Sequence, residues 1–566
     1  MVQVTGNEYI SLPHIEEETG NIKYLTLLNM RYKGLLQIDG SPLIKPAIRI
    51  NGIEVDITEK LVWDRVSFWI PRAVFEIDKV KITITYLTPQ NQKAIALRIN
   101  VLNKGNETVS INSQFNLSWD KTYHVVNESY KIESSIKSKT SNWNHGVVLQ
   151  QFNTVPLVSL ASMESCNSLI DIKPGESNVY DYYLGIGFEE VSAATAAKHL
   201  KRIGFDALYD DLVSFLNEKT IKTDDKYLSK ILNTNLFFSY FFSSGKTYDT
   251  EELVLVTSRS PRYYVSAAYW DRDSLLWSFP SFLLIDEKFS REVLKYVFTT
   301  QINNIGEHSR FIDGTLLEPG FELDELCAPV LALNRYIEKT GDSAFLDKEY
   351  IKDGLDIILN KLKSKRNKDV ALYETFLMPT DDVATYKYLT YDNVLVWKSL
   401  IILSKYLSDE SLNIEAKGVK EAIYAYLVKD GMFVFSSDLN TNFNIYDEPP
   451  GSLLLLNYWG FCKKDSLIWR KTVNHIRSKD YKLSFSGSNI SEIGCEHAPH
   501  PWVLSLCNNL LSGFGQSAIV NLKKMKMDNY IACESVDEES GECSTGEAFA
   551  TCAGFLAYSL HYYLKS

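Results

Sequence analysis

Glu318-Pro-Gly-Phe-Glu-Leu-Asp324-Glu325 runs directly into Leu326-Cys-Ala-Pro-Val330. A loop of carboxylates, Gly and Pro thus ends where an apolar sequence of helical spacing begins. The device recurs along the chain. Tyr269-Trp270-Asp271-Arg272-Asp273, Pro379-Thr-Asp381-Asp382, Tyr446-Asp447-Glu448-Pro-Pro, Cys495-Glu-His497 and Cys533-Glu534-Ser-Val536 each precede a helical run. From Lys226 onward about twelve such runs appear, centred near residues 235, 278, 295, 331, 353, 400, 420, 454, 471, 505, 519 and 554. Their period of three to four marks amphipathic helices. Motif-rich loops lead into every second run, and the other connections, such as Thr340-Gly-Asp-Ser343, are short and polar. Twelve helices pair as six hairpins and close into an (α/α)6 toroid. The alternation gathers all the motif loops at one end of it.

The first part of the chain has a different period. Val80-Lys-Ile-Thr-Ile-Thr-Tyr86 alternates apolar and polar residues, and Ala94–Leu102 and Val109–Leu117 follow with turn signals between them. A last strand is expected near Tyr180 to Ile186, after the turn Asp171-Ile-Lys-Pro-Gly-Glu176. Short alternating strands with frequent turns predict an antiparallel β-sandwich. The expected organisation is a β-sandwich domain over 1–188, one linker helix over 189–222 and the toroid over 223–566. A chain of 566 residues exceeds one ordinary core.

The net charge of -12 argues against a nucleic-acid partner, because phosphate binding needs clustered Lys and Arg. No apolar run is long enough to cross a bilayer, so no membrane partner is expected, and the N-terminus lacks a signal-peptide pattern. The eight cysteines, Cys166 among them, are too few for a disulfide framework, which favours a cytoplasmic location.

Carboxylates and aromatics on loops suit sugar chemistry: aromatic faces stack on pyranose rings, and two carboxylates can act as acid and base. Phe321, Leu323 and Leu326 crowd Asp324, and desolvation raises a carboxyl pKa toward the range of a general acid. Glu534 follows the apolar Tyr530-Ile-Ala-Cys533 and stands at the root of its loop, which makes it the candidate base. Glu547 is the rival, with Ser544-Thr545 read as a cap of the last helix. Trp270-Asp271-Arg272-Asp273 reads equally as a salt-bridge knot or as a clamp on the hydroxyls of one sugar. Cys495-Glu-His497-Ala-Pro-His500 has metal-ligand spacing, but Pro499 breaks the helix that would hold such ligands. No metal or cofactor is expected, and His497 is read as a substrate contact.

These motifs resemble those of the exo-α-mannosidases of glycoside hydrolase family 125. Trp270 to Ser274 is similar to the family's Trp-x-Arg-Asp-Ser. Glu322 to Pro329 is similar to its Glu-Leu/Ile-Asp-Ser-Leu-Cys-x-Pro, with Glu325 in place of Ser. Pro379 to Tyr386, Asp447-Glu448 before Ser452, Gly494 to His497 and Glu534-Ser-Val536 match further motifs in order. The resemblance implies a six-hairpin glycosidase fold and a metal-independent, inverting exo-glycosidase with Asp324 as acid and Glu534 as base. The implied partner is an oligosaccharide or glycoside, held by Trp270, Arg272, Asp273, Asp381, Asp382, Asp447, His497 and Glu547. An α-1,6-type α-mannosidase is the first expectation. A β-sandwich before a toroid is the layout of glucoamylases and trehalases, so an α-glucosidase is the alternative, and a non-catalytic sugar-binding toroid a further one. The residues carry no signal for the oligomeric state.

Overall fold

Alternation along the early strands separates two faces. In Val80–Leu87, Ile82 and Ile84 are fully buried while Lys81 and Thr83 are partly exposed. In a computed structural model, residues 2–58, 60–134, 137–143, 146–152, 158–164 and 169–566 are described; Cys166 lies outside them. Strands at Val80–Leu87, Ala94–Asn103, Val109–Leu117 and Ser177–Gly187 lie where alternation predicts them. They join a nine-stranded and an eight-stranded antiparallel sheet. Leu25, Ile38 and Ile44 from one sheet share a core with Ile82, Ile84 and Ile99 from the other. That is the expected antiparallel β-sandwich.

Contacts divide the chain into two compact units. The first comprises Met1–Lys222, Ser244–Glu252 and Arg259–Ala267, and the second Thr223–Ser243, Leu253–Ser258 and Ala268–Ser566. The single helix expected over 189–222 is two, α1 (Glu190–Ile203) and α2 (Phe205–Lys219). Gly204, at φ 89° and ψ 150°, breaks them, because a backbone with positive φ leaves the helical region and suits glycine. Both belong to the first unit, and α1 packs on the Ser177–Gly187 strand. The approach is close: a Cβ on Gly185 would stand 2.1 Å from the Ala193 carbonyl oxygen.

The second unit is helical. Its elements are α3 (Lys226–Phe242), α4 (Phe279–Ile285), α5 (Glu287–Thr299), α6 (Leu323–Thr340), α7 (Glu349–Lys365), α8 (Thr390–Leu407), α9 (Glu410–Tyr426), α10 (Leu467–Ile476), α11 (Val503–Ser512), α12 (Gly515–Leu522) and α13 (Ala550–Lys565). A π-helical stretch, Arg272–Ser278, runs into α4, and a 3-10 turn, Leu453–Leu456, precedes α10. Every predicted centre falls on one of these elements.

The packing pattern closes a ring. The π-stretch with α4 touches α6, which touches α8, which touches Leu453–Leu456; that turn touches α11, α11 touches α13, and α13 returns to the π-stretch and α4. Each inner member has an outer partner, namely α5, α7, α9, α10, α12 and, for α13, α3. This is the (α/α)6 toroid. Three outer helices, α3, α5 and α9, carry an Asp cap: the Asp225 side chain accepts from Tyr227 N at 2.8 Å and from Leu228 N at 3.1 Å, capping α3. Inner helices α6, α8, α11 and α13 open without a side-chain cap. Their positive dipole ends lie at the motif end, where they favour carboxylates.

Candidate active site

Arg272 is where two of the motif loops meet, the one that carries Glu322, Asp324 and Glu325 and the one that carries Asp381. It is the first residue of the π-helical stretch, a form often found at functional sites. Arg272 Nη1 donates to Glu322 Oε2 at 2.6 Å and to Asp324 Oδ2 at 3.2 Å, and lies 3.7 Å from Glu325 Oε1. Nη2 donates to Asp381 Oδ1 at 2.5 Å, and Nε stands 3.7 Å from Asp273. Asp381 reaches it from a left-handed backbone, φ 68°, which Asp tolerates. Three predicted residues, Arg272, Asp324 and Asp381, are therefore in direct contact, with Asp273 beside them.

Charge does not balance in this cluster. Glu322, Asp324, Glu325 and Asp273 are all buried around one guanidinium. Burial raises the Asp324 carboxyl above its ordinary range, and Arg272 opposes this without cancelling it. Asp324 Oδ1 is buried with no hydrogen-bond partner. Burial likewise lifts Asp273 to about 7, against the pull of Arg272. Thr551 Oγ1 donates to Asp273 Oδ1 at 2.8 Å.

The second candidate, Glu534, is 4% exposed. Thr545 Oγ1 donates to its Oε2 at 2.7 Å. Its backbone is pinned on both sides, by Thr545 and Gly546 carbonyls at 3.2 Å and by Val503 N at 3.1 Å. Consecutive residues of α13 join the two halves of the site. Thr551 holds Asp273, and Cys552 Sγ donates to the carbonyl of Cys533, next to Glu534, at 3.7 Å. Thr545 does not cap the last helix as expected. It lies in the strand Cys543–Thr545, its hydroxyl is committed to Glu534, and left-handed Ala548 (φ 56°) separates it from α13. Glu547 is exposed on this loop.

A third group forms the exposed side. His497 Nδ1 lies 3.2 Å from Asp382 Oδ2, and its ring meets Trp502 edge-on at 5.4 Å. Cys495 Sγ, 3.4 Å from His497, donates to Glu448 Oε2 at 2.9 Å. Asp381 and Asp382 keep about half of their side-chain surface, 46% and 53%, so the cluster opens on this side. Asp447 stands apart from the sugar-binding role expected of it. It is buried and braces its own loop, accepting from Ser452 Oγ at 2.6 Å and Leu453 N at 2.7 Å. Trp270 is also buried, with its ring edge-on to His308 at 5.3 Å.

Several members carry no signal in sequence. His308 comes from a strand with no motif, and its Nδ1 lies 2.5 Å from Glu322 Oε1. Burial pulls its imidazolium down, but Glu318, Glu322 and Asp381 outweigh that and leave it at about 10. Asp392, in the first turn of α8, is fully buried with neither oxygen partnered. Burial, then the nearby Asp324 and Glu322, push it well above the carboxylate range. Its only cue was an acid beside apolar residues at a helix start. Asp271 and Arg310 form a buried pair behind the cluster, and Tyr269 donates to Asp271 at 2.6 Å. His308, Glu322 and Asp381 bring one donor atom each within 4.8 Å of one another. The Arg272 guanidinium already bonds both of these carboxylates and supplies the positive charge there. Among the described residues, seven cysteines are free thiols. No helix among them is long and apolar enough to cross a membrane.

Residues 356–559 match the family described as metal-independent alpha-mannosidase (GH125). The match holds Asp381, Asp382, Asp447, His497, Glu534 and Glu547; Trp270, Arg272, Asp273 and Asp324 precede it. No curated protein matches the sequence. Among solved structures, a metal-independent alpha mannosidase of Streptococcus pneumoniae, in a non-productive complex with alpha-1,6-mannobiose, is 17% identical with a TM-score of 0.52, over 64% of this chain and 99% of that one. A bacterial glucoamylase complexed with acarbose is 11% identical with a TM-score of 0.67, over 100% and 94%. A putative kojibiose phosphorylase from the human microbiome is 11% identical with a TM-score of 0.59, over 99% and 86%. At these identities the likeness is one of fold. The chain has the (α/α)6 fold of these sugar-active enzymes with an N-terminal β-sandwich, and over residues 356–559 it resembles the metal-independent alpha-mannosidases.

Proposed function

We propose that this chain is a glycoside hydrolase that removes a terminal α-linked sugar with inversion, most simply an exo-acting α-mannosidase. The observation that carries the reading is the Arg272 cluster: a buried carboxyl held above its ordinary pKa, at the end of the toroid where the motif loops converge. Asp324 is the acid and protonates the glycosidic oxygen as the bond breaks. Glu534 is the base and takes a proton from the water that attacks the opposite ring face. Inversion needs these carboxyls about 6.5–9.5 Å apart, leaving room for that water. Arg272 and Asp273 orient the buried side of the terminal sugar, and Asp381, Asp382 and His497 its open side. No step requires a metal. Two units, 1–222 and 223–566 in outline, divide the labour, with the chemistry in the second. A cytoplasmic location fits the free thiols. A glucose glycone is the second reading, favoured by the glucoamylase-like layout over the whole length of the chain. Hydrolysis of nitrophenyl α-mannoside, nitrophenyl α-glucoside, trehalose and an α-1,6-linked mannobiose separates these readings. No turnover of any of them overturns the proposal.

A further inference from the structure

A cavity of about 370 Å³ lies among α10, α11, α12 and the stretch before Cys495, and none of the candidate acid, base or sugar-holding residues lines it. At about 30 Å³ per water it holds about a dozen waters, and a hexose has as many non-hydrogen atoms. Its wall is built rather than incidental. Glu492 is 3% exposed, and its carboxylate is fixed by Ser505 Oγ at 2.7 Å, Asn509 Nδ2 at 2.7 Å and Asn521 Nδ2 at 2.8 Å. Arg477, at the end of α10, donates to Asn509 Oδ1 and to Ser517 Oγ at 3.1 Å. Asn508, 1% exposed, donates to the Pro449 carbonyl at 2.8 Å, and its Oδ1 is buried without a partner.

The wall selects among ligands. The charged groups of the wall are already engaged within the protein, Glu492 by Ser505, Asn509 and Asn521, Arg477 by Asn509 and Ser517, and Lys524 by the Asn489 carbonyl at 2.7 Å, so the wall is not built for an ionic ligand. An apolar ligand would leave the buried Asn508 Oδ1 without a partner, at about 1–3 kcal/mol. No aromatic side chain lines the space to stack on a base or a planar ring. A neutral polyol fits all three conditions. Its hydroxyls both donate and accept, as the Ser and Asn side chains do, and Ile476, Ile493 and Val520 offer aliphatic surface to its C–H groups.

We propose that this cavity is a second sugar-binding site, taking one hexose unit, separate from Asp324 and Glu534. It goes beyond the hydrolase reading and does not depend on it. The test is calorimetric titration of the Asp324→Asn chain with mannose and with glucose, alone and with Val520→Trp or Ser517→Trp added. Both positions are exposed, with Val520 at 56%, so a tryptophan there obstructs the mouth without entering the core. The expected result is two sugars per chain, with one of the two affinities lowered at least tenfold by either tryptophan and the other unchanged. One sugar per chain that neither tryptophan affects overturns the second site, and so does a mannose-soaked crystal with only water in the cavity. Hydrolysis by the unaltered chain is read separately: turnover with a single binding event that neither tryptophan affects sinks this proposal alone, and a tryptophan-sensitive site without turnover sinks only the hydrolase reading.

Discussion

Asp324 offers one carboxylate oxygen to Arg272 Nη1 at 3.2 Å and keeps the other buried without a partner. The bonded oxygen fixes the rotamer, and the free one is where a proton can reside. Burial raises the pKa, so the group stays protonated further toward neutral pH, and its activity as an acid is lost as pH rises through the folded pKa. Asp324→Asn should lower kcat/KM by about 10²–10⁴-fold on a disaccharide, the usual worth of a general acid. A nitrophenyl glycoside, whose leaving group needs little protonation, should lose much less. Equal losses on both substrates would show that Asp324 only binds. Circular dichroism checks that the variant is folded.

Buried acids also set how stability depends on pH. Asp273 and Asp447 are lifted to about 7 by burial, and Asp392 well above its ordinary range. Each binds a proton more readily folded than unfolded, so its contribution is fully present below the unfolded pKa near 4 and is lost as pH rises through the folded value. The thermal midpoint should therefore rise between pH 8 and pH 5. Asp392→Asn, which needs no proton, should gain most over the parent at the alkaline end. A thermal-shift series in matched salt measures both. A midpoint that falls steadily from pH 8 to pH 5 contradicts the account.

Much of the fold is legible in the chain because its two periods are clean. Val80–Leu87 alternates, the later helices repeat at three to four, and motif loops mark every second helix start. The linker misled because apolar spacing continues through Gly204, and only a positive φ shows that the backbone turns there. Of the side chains that cluster, Asp324, Arg272 and Asp381 stand in motifs that can be picked out along the chain. His308 and Asp392 are not, since a lone His on a strand and a single acid in a first turn have ordinary structural meanings. Asp447 misled in the other direction: its motif is a loop brace made with Ser452 and Leu453. Spacing along the chain cannot tell a carboxylate that faces a cavity from one that accepts its own loop's N–H groups.

The first unit offers an independent check at Gly185. Its α-hydrogen faces the Ala193 carbonyl of α1, where a Cβ would stand at 2.1 Å. That distance is far inside contact and the obstacle is backbone, so no rotamer change relieves it. Gly185→Val should cost about 3 kcal/mol or more, at the severe end of overpacking. Urea denaturation should show the loss in a transition of the first unit. An unchanged midpoint would mean that α1 does not pack on that strand.

Glu534 is held differently from Asp324, and this difference separates the base from the acid. Thr545 Oγ1 donates to its Oε2 at 2.7 Å and so fixes the direction in which the carboxylate faces, whereas Asp324 is held by a guanidinium. Glu534→Gln should lower kcat by about 10²–10⁴-fold on the disaccharide and on the aryl glycoside alike, because water activation is required whatever the leaving group. Thr545→Val removes the orienting hydrogen bond, together with the contact of that hydroxyl with Ser535 Oγ at 2.6 Å, and should cost about tenfold or less. Glu547→Gln should be nearly silent, since that side chain is exposed; if it proves the crippling change, the base is Glu547. Proton NMR during early turnover decides the stereochemistry. β-Sugar appearing first from an α-linkage means direct attack by water, whereas α-sugar first would require a covalent intermediate, for which two carboxyls stand only about 5–5.5 Å apart.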